Sequence, residues 1–418
     1  MTPKKLQRKL QQWPIKVKPN KRVRAEHLLR PYIFLMPLTS RERVIATLNH
    51  EVPDRVPIVI GASNATGINI VAYRRLKKLL RIESPERFLY DWPELGSVLA
   101  DEVVLERLHA DVRGVWDREP QHVIEKNASR QPGSMYYNSW GTGTVRTAED
   151  SWFPHFHPLA ETHSIEDLAN HAWPDMNDPT RVAHVRERAR KLHEDNQYAI
   201  MGTPWLAFPV ERAYEMQRMD HFFYNLGRYP DFAVALLQKT AELCKTLMGH
   251  FLDECGDVID IIKVGDDLGM KTSLMLSPKM YRKLVKPIHA DYLAFIKSRT
   301  KAKLFFHTDG DVWDLLPDFI EMGVDILNPI QSSAGKMSNL EELKKQYGEQ
   351  LVFCGAIDTS NTLPFGTPED VRAEVKRNIA VLGAGGGYMV AAVHTVMADV
   401  PPENILAMVD AVDEFGWY

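Results

Sequence analysis

The chain has 418 residues, 44% of them hydrophobic and 25% charged, with a formal net charge of −4. That is enough apolar material for a large core, as a single barrel with insertions or as two domains, and the charge balance argues against general nucleic-acid or anionic-membrane binding. Three cysteines, Cys244, Cys255 and Cys354, with no Cys-x-x-Cys pair, exclude a disulfide framework and a thiolate zinc cage.

With no apolar run near the ~18 residues that a bilayer span needs and no secretory signal, a cytoplasmic protein is expected. Residues 1–37 stand apart as a basic N-terminal extension. Lys4, Lys5, Arg8, Lys9, Lys16, Lys18, Lys21, Arg22, Arg24 and Arg30 face the single acid Glu26 there. Such a run reads as a solvated, non-catalytic tail, with a contact arm for an acidic partner, or upstream sequence read through ahead of a product beginning at Met36, as the other readings. The globular pattern begins at Thr39-Ser40-Arg41-Glu42, a capping box with Val44, Ile45 and Leu48 on the face behind it. Val56 to Ile60 then reads as a buried first strand, and its exit loop, Gly61 to Gly67, is expected to border a pocket that Asn64 helps to line.

Asp111 to Trp116 is the second expected strand. Met135 to Val145, with aromatic and β-branched residues around glycines, suggests a hairpin insertion that could lie over a barrel mouth. Tyr198 to Gly202 is a third strand, and Phe222 to Gly249 holds two helical patterns. Val258 to Val264 is a fourth strand, ending in Gly265-Asp266-Asp267. Adjacent carboxylates there can bind a metal, hold a cation or move a proton, or else cap the next helix.

The fifth strand, Ala302 to Phe306, stops at His307-Thr308-Asp309-Gly310-Asp311, and Val312, Leu315, Leu316, Phe319 and Ile320 resume at helical spacing. His307 and Asp309 lie two apart, so on an extended segment they point the same way, within reach of one ion or substrate; capping is the plainer reading of the aspartates. Val324 to Pro329 makes a sixth strand with Gln331 at its end, and Leu351 to Gly355 a seventh, ending near Asp358. Thr367 to Asp370 starts a helix, with a cap, proline at N1 and acids in the first turn. Gly383 to Gly387 precedes a strand instead of following one, so it reads as a helix stop and not a phosphate cradle. Gly387 to Val393 is the eighth strand, ending at His394. Eight strands, mostly separated by helices, predict an α/β protein in which residues 38–418 form a single (β/α)8 TIM barrel with a hairpin insertion.

Several of these pieces together resemble the uroporphyrinogen decarboxylase superfamily over about residues 38–418: Thr39 to Val44 with Pro53 to Pro57, Gly265-Asp266-Asp267-Leu268-Gly269, His307-Thr308-Asp309-Gly310, Gly355 to Asp358 and Pro401 to Ile405. The resemblance implies either a porphyrin-pathway decarboxylase or a corrinoid-linked methyltransferase. The decarboxylases bind their polycarboxylate through an arginine-rich loop after the first strand, since arginine pairs carboxylates bidentately; here Gly61 to Gly67 carries no cation. The methyltransferases bind zinc through a His-x-Cys after strand five and a cysteine near strand eight. In this chain His307 keeps the histidine, Asp309 stands in the cysteine's place and His394 ends strand eight.

The resemblance thus implies zinc, or another divalent metal, on His307, Asp309 and His394. That harder donor set would suit an oxygen-bearing methyl donor such as a methyl ether. Asp266, Asp267 and His307 are the expected catalytic groups, and Asn64, Gln331 and Asp358 the substrate contacts. With no Asp-x-His-x-x-Gly pattern in the chain, cobalamin would arrive on a separate corrinoid protein. The expected function is methyl transfer between a small substrate and that partner. Uroporphyrinogen decarboxylation and a non-catalytic ligand-binding barrel are the alternatives.

Overall fold

The apolar runs become a curled, seven-stranded parallel sheet in a computed structural model that describes residues 37–91, 96–128, 134–146, 152–205 and 207–418. Apart from residue 37, the predicted basic extension lies outside the described residues. Leu38–Tyr418 forms one compact unit.

The strands in chain order are β1 (Val112–Val115), β2 (Tyr136–Tyr137), β3 (Gly143–Arg146), β4 (Trp152–Phe156), β5 (Ala199–Gly202), β6 (Ile261–Gly265), β7 (Lys303–His307), β8 (Ile326–Ile330), β9 (Val352–Ile357) and β10 (Tyr388–Ala392). The large sheet runs β1-β5-β6-β7-β8-β9-β10, and β2, β3 and β4 form a separate antiparallel sheet. Each large-sheet strand falls within or beside a stretch expected from the sequence. The capping box at Thr39 and Glu42 and the one at Thr367 and Asp370 both form, and the glycines after Leu382 end the Pro368–Leu382 helix before β10 begins.

The segment Val56 to Ile60 departs from expectation. It makes no ladder, only a parallel bridge between Ile58 and Val390. Pro57 has no N–H to give, and the Ile58 N–H goes to the Asp111 carboxylate at 2.8 Å instead of to a strand carbonyl. The segment still touches both edges of the sheet: Val59 N donates to Val390 O of β10, and Asp111 N donates to Ile58 O beside β1, each at 2.9 Å.

Alternation along the strands sorts their side chains into two cores. Ile262, Val264, Leu304, Phe306, Leu327, Phe353 and Val390 pack toward the helices. Ile261, Phe305, Ile326, Val352 and Met389 form a second cluster with Val44 and Leu48 of the Ser40–Leu48 helix. Two residues nearer the carboxyl ends on that second face, Ile261 is succeeded by Lys263, Phe305 by His307 and Ile326 by Asn328. The inner face therefore changes from apolar to polar where a cavity opens.

Candidate active site

The cavity holds about 590 Å³, within the range of small-molecule sites. Asn64, Lys263, Asp267, His307 and His394 line it from the strand-end side. Trp205, Phe208, Glu211 and Tyr214 line it from the Pro209–Gln217 helix and the segment before it, and Pro154 and His157 from β4 and just beyond.

Two loops lock together to present these groups. Asp309 N donates to Asp267 Oδ1 at 2.9 Å, and Gly310 N to Gln331 Oε1 at 2.6 Å. Gly310 has φ +90°, and a Cβ there would lie 2.3 Å from the carbonyl carbon of Gly269, so the close approach and the left-handed backbone both require glycine.

His307, Asp309 and His394 meet. One ligand atom from each lies within 4.8 Å of the others, and the two imidazole centroids are 5.5 Å apart. Asn328 Nδ2 donates to Cys354 O at 3.2 Å, so its Oδ1 must accept, and the partner 2.7 Å away is His307 Nδ1. Nδ1 therefore carries the proton and Nε2 the lone pair. Burial, with Lys263 and His394 adding to it, holds the His307 pKa well below its ordinary value; burial also lowers that of His394, against the pull of Asp267. Both rings are thus neutral ligand types at neutral pH.

The acids shift the opposite way. Burial raises the Asp309 carboxyl to about 7 despite Lys263, and burial with Asp309 raises Asp267 to about 7. Glu211 is pushed well above the carboxylate range by burial first, then by Asp267 and Asp266. Among the described residues that line the cavity, carboxylates outnumber the single lysine, Lys263, and a divalent cation would offset that excess. Asp309 Oδ1 is buried without a hydrogen-bond partner, the condition of an oxygen whose partner is an ion. Two neutral imidazoles and such a carboxylate fit zinc or iron with open positions.

Not every expected residue reaches the cavity. Asp266 is engaged with the helical shell: its oxygens accept from Glu211 N at 2.8 Å and pair with His289 Nε2 at 2.9 Å. Gln331 braces the Gly310 turn. Asp358 caps a turn, accepting from Ser360 N and Asn361 Nδ2, each at 2.8 Å. These three are placed as supports, because strand-end position alone does not say which way a side chain is drawn by nearby donors.

Glu211 and Lys263 are two of the cavity residues that the sequence does not single out. Glu211 lies on the Pro209–Gln217 helix, in a stretch between the third expected strand and Phe222 to which the sequence reading assigns no element, although Pro209 at N1 and an acid in the first turn signal a helix start. Lys263 was read as part of an apolar strand, when a charge inside a buried strand was itself the signal.

A curled parallel sheet with its ionisable side chains gathered at the carboxyl ends of the strands is the arrangement of TIM-barrel enzymes. Within that class, the uroporphyrinogen decarboxylase (URO-D) family pattern matches residues 140–415, and the chain belongs to that family. The uroporphyrinogen decarboxylase of Neisseria meningitidis serogroup C is 26% identical over 187 residues, 45% of this chain and 49% of that protein. The match thus spans about half of that relative's length. The Legionella pneumophila enzyme is 24% identical over 274 residues, 62% of this chain and 70% of that protein. Among solved structures, a methyltransferase from Methanosarcina mazei shares the fold, with a TM-score of 0.61 and 18% identity, covering 90% of this chain and 99% of that one.

Proposed function

We propose that this chain is a methyltransferase that moves a methyl group between a small substrate, such as a methyl ether, and a separate corrinoid protein. The carrying observation is the convergence of His307, Asp309 and His394, with ligand atoms within 4.8 Å of one another, at the wall that His307 and His394 give to the cavity. The Methanosarcina mazei protein of like fold is named a methyltransferase, but the proposal rests on the site and not on the fold.

In this reading His307, Asp309 and His394 hold a divalent metal, which when bound supplies a Lewis acid for the oxygen that loses its methyl group. Asn328 fixes the His307 tautomer so that Nε2 stays unprotonated. Asp267 receives the Asp309 backbone N–H and so sets where the Asp309 carboxylate stands. Trp205, Phe208 and Tyr214 exclude water from around the substrate, and β2, β3 and β4 serve as an inserted cover contributing Pro154 and His157. With residues 56–60 bridging both sheet edges, the barrel is read as closed.

Elemental analysis of the purified full chain tests this. About one equivalent of divalent metal is expected, and His394→Ala should lose it together with methyl transfer to a corrinoid acceptor while keeping the wild-type circular dichroism. Transfer that persists in metal-free protein would sink the metal assignment; loss of transfer with metal retained would make His394 a substrate or proton-transfer residue.

A further inference from the structure

Lys263 has no part in the scheme above, yet its placement is the most demanding in the cavity. Its side chain is 1% exposed, and its Nζ lies 4.5 Å from the Phe208 ring centroid. Among the described residues its ammonium makes one hydrogen bond, a long one of 3.5 Å to Asn64 Oδ1, and no ion pair. An ammonium has three donors, and burying one so lightly paired is costly unless a further acceptor arrives. Glu211, Asp267 and Asp309 act on it through space without touching it. The open side of the ammonium is the cavity.

We propose that Lys263 anchors an oxyanion, a carboxylate or phenolate, on the small molecule that this cavity takes. The body of that molecule is flat and apolar, because Trp205, Phe208 and Tyr214 supply the nearby wall and favour ring stacking. Burial pushes the Glu211 carboxyl well above its ordinary value, which lessens its repulsion of the incoming charge. This inference rests on the reading of the cavity as the substrate site, and it requires neither the metal nor methyl transfer.

The test is calorimetric titration of the full-length protein with benzoate and with benzamide, its uncharged counterpart of like shape, before and after chelator treatment. Benzoate is expected to bind at least about tenfold tighter, the ordinary scale for a charged hydrogen bond. That preference should survive chelation, persist in Lys263→Arg and shrink to within about twofold in Lys263→Met. Retained benzamide binding in Lys263→Met shows that the cavity is intact. Equal binding of the two probes to wild-type protein overturns the inference without any variant, as does a preference that persists in Lys263→Met. A preference abolished by chelation alone assigns the anion to the metal instead. If neither probe binds, the cavity reading itself fails with it.

Discussion

At the scale of single residues, hydrogen bonds behind the cavity decide what its side chains can do. Asn328 touches no substrate in this arrangement, yet it alone sets which His307 nitrogen is bare. Asn328→Leu should keep the fold and lower metal affinity about 10- to 100-fold, the usual cost of losing a partner behind a ligand; a chelator competition titration measures it, and unchanged affinity would remove the tautomer argument. Asp117 gives a prediction in pH. Burial raises its carboxyl to about 7, while Trp205 N donates to Oδ1 at 2.6 Å and Oδ2 has no partner. The unfolded chain loses this proton near 4 and the folded chain near 7, so between those values the folded state binds more protons and stability falls as pH rises. Asp117→Asn keeps an acceptor for Trp205 and should be more stable than wild type by about 1–3 kcal/mol at pH 8, an advantage that shrinks toward zero as pH falls to about 4. Urea melts across that range check the sign. His307, Asp309 and His394 were legible because each ends or follows an apolar run. Lys263 was not, because one charge in a buried strand counts little against its apolar neighbours when a strand is read by pattern.

At the scale of elements, part of the motif that resembles the family has a structural task. Arg43 Nη1 reaches Asp111 Oδ1 at 2.7 Å and Arg55 Nη2 reaches Asp111 Oδ2 at 3.0 Å; Asp54 pairs with Arg43 at 2.8 Å and Asp413 with Arg55 at 2.7 Å. This network ties the Ser40–Leu48 helix, the start of β1 and the Pro402–Phe415 helix together, on the side from which Val44 and Leu48 fill the inner core. Asp111 is wholly buried, so Asp111→Ala leaves two buried guanidinium groups without it and should cost about 3–5 kcal/mol, read from the urea midpoint. A loss below about 1 kcal/mol would mean that water reaches the network. Strands and capped helices were legible because their signals are local: an apolar run with turn residues, or a hydroxyl three residues before an acid. The Val56 to Ile60 segment was misread because its N–H partner, the Asp111 side chain, lies 53 residues away in sequence. The Pro209–Gln217 helix, only nine residues long, is too short for helical spacing alone to mark it.

At the scale of the whole molecule, family membership and the balance of charge point different ways. The name-giving reaction of the family acts on uroporphyrinogen, a polycarboxylate that needs several cations to hold it. This cavity is lined by Lys263 and Arg218 against Glu211, Glu215, Asp220 and Asp267. Arg218 is already bound to Asp220, its Nε 3.1 Å from Oδ1, and the nearby buried Arg212 is held by Glu215 at 2.6 Å. The loop after the first strand segment, Gly61 to Gly67, has no cation at all. Among the described residues of the cavity wall, one ammonium without an ion pair, that of Lys263, suits one anionic group, and each further carboxylate brought into a site already rich in buried acids adds unfavourable desolvation and repulsion. Purified protein incubated anaerobically with uroporphyrinogen should therefore form no four-carboxylate product over a time in which a uroporphyrinogen decarboxylase control converts the substrate fully. Chromatography of the oxidised porphyrins reads the outcome. Steady appearance of that product would restore decarboxylation as the function and would require cations from outside the described cavity wall. Its absence, beside tight binding of a single-charged aromatic probe, would place the specificity of this family member in the number of charges its cavity accepts.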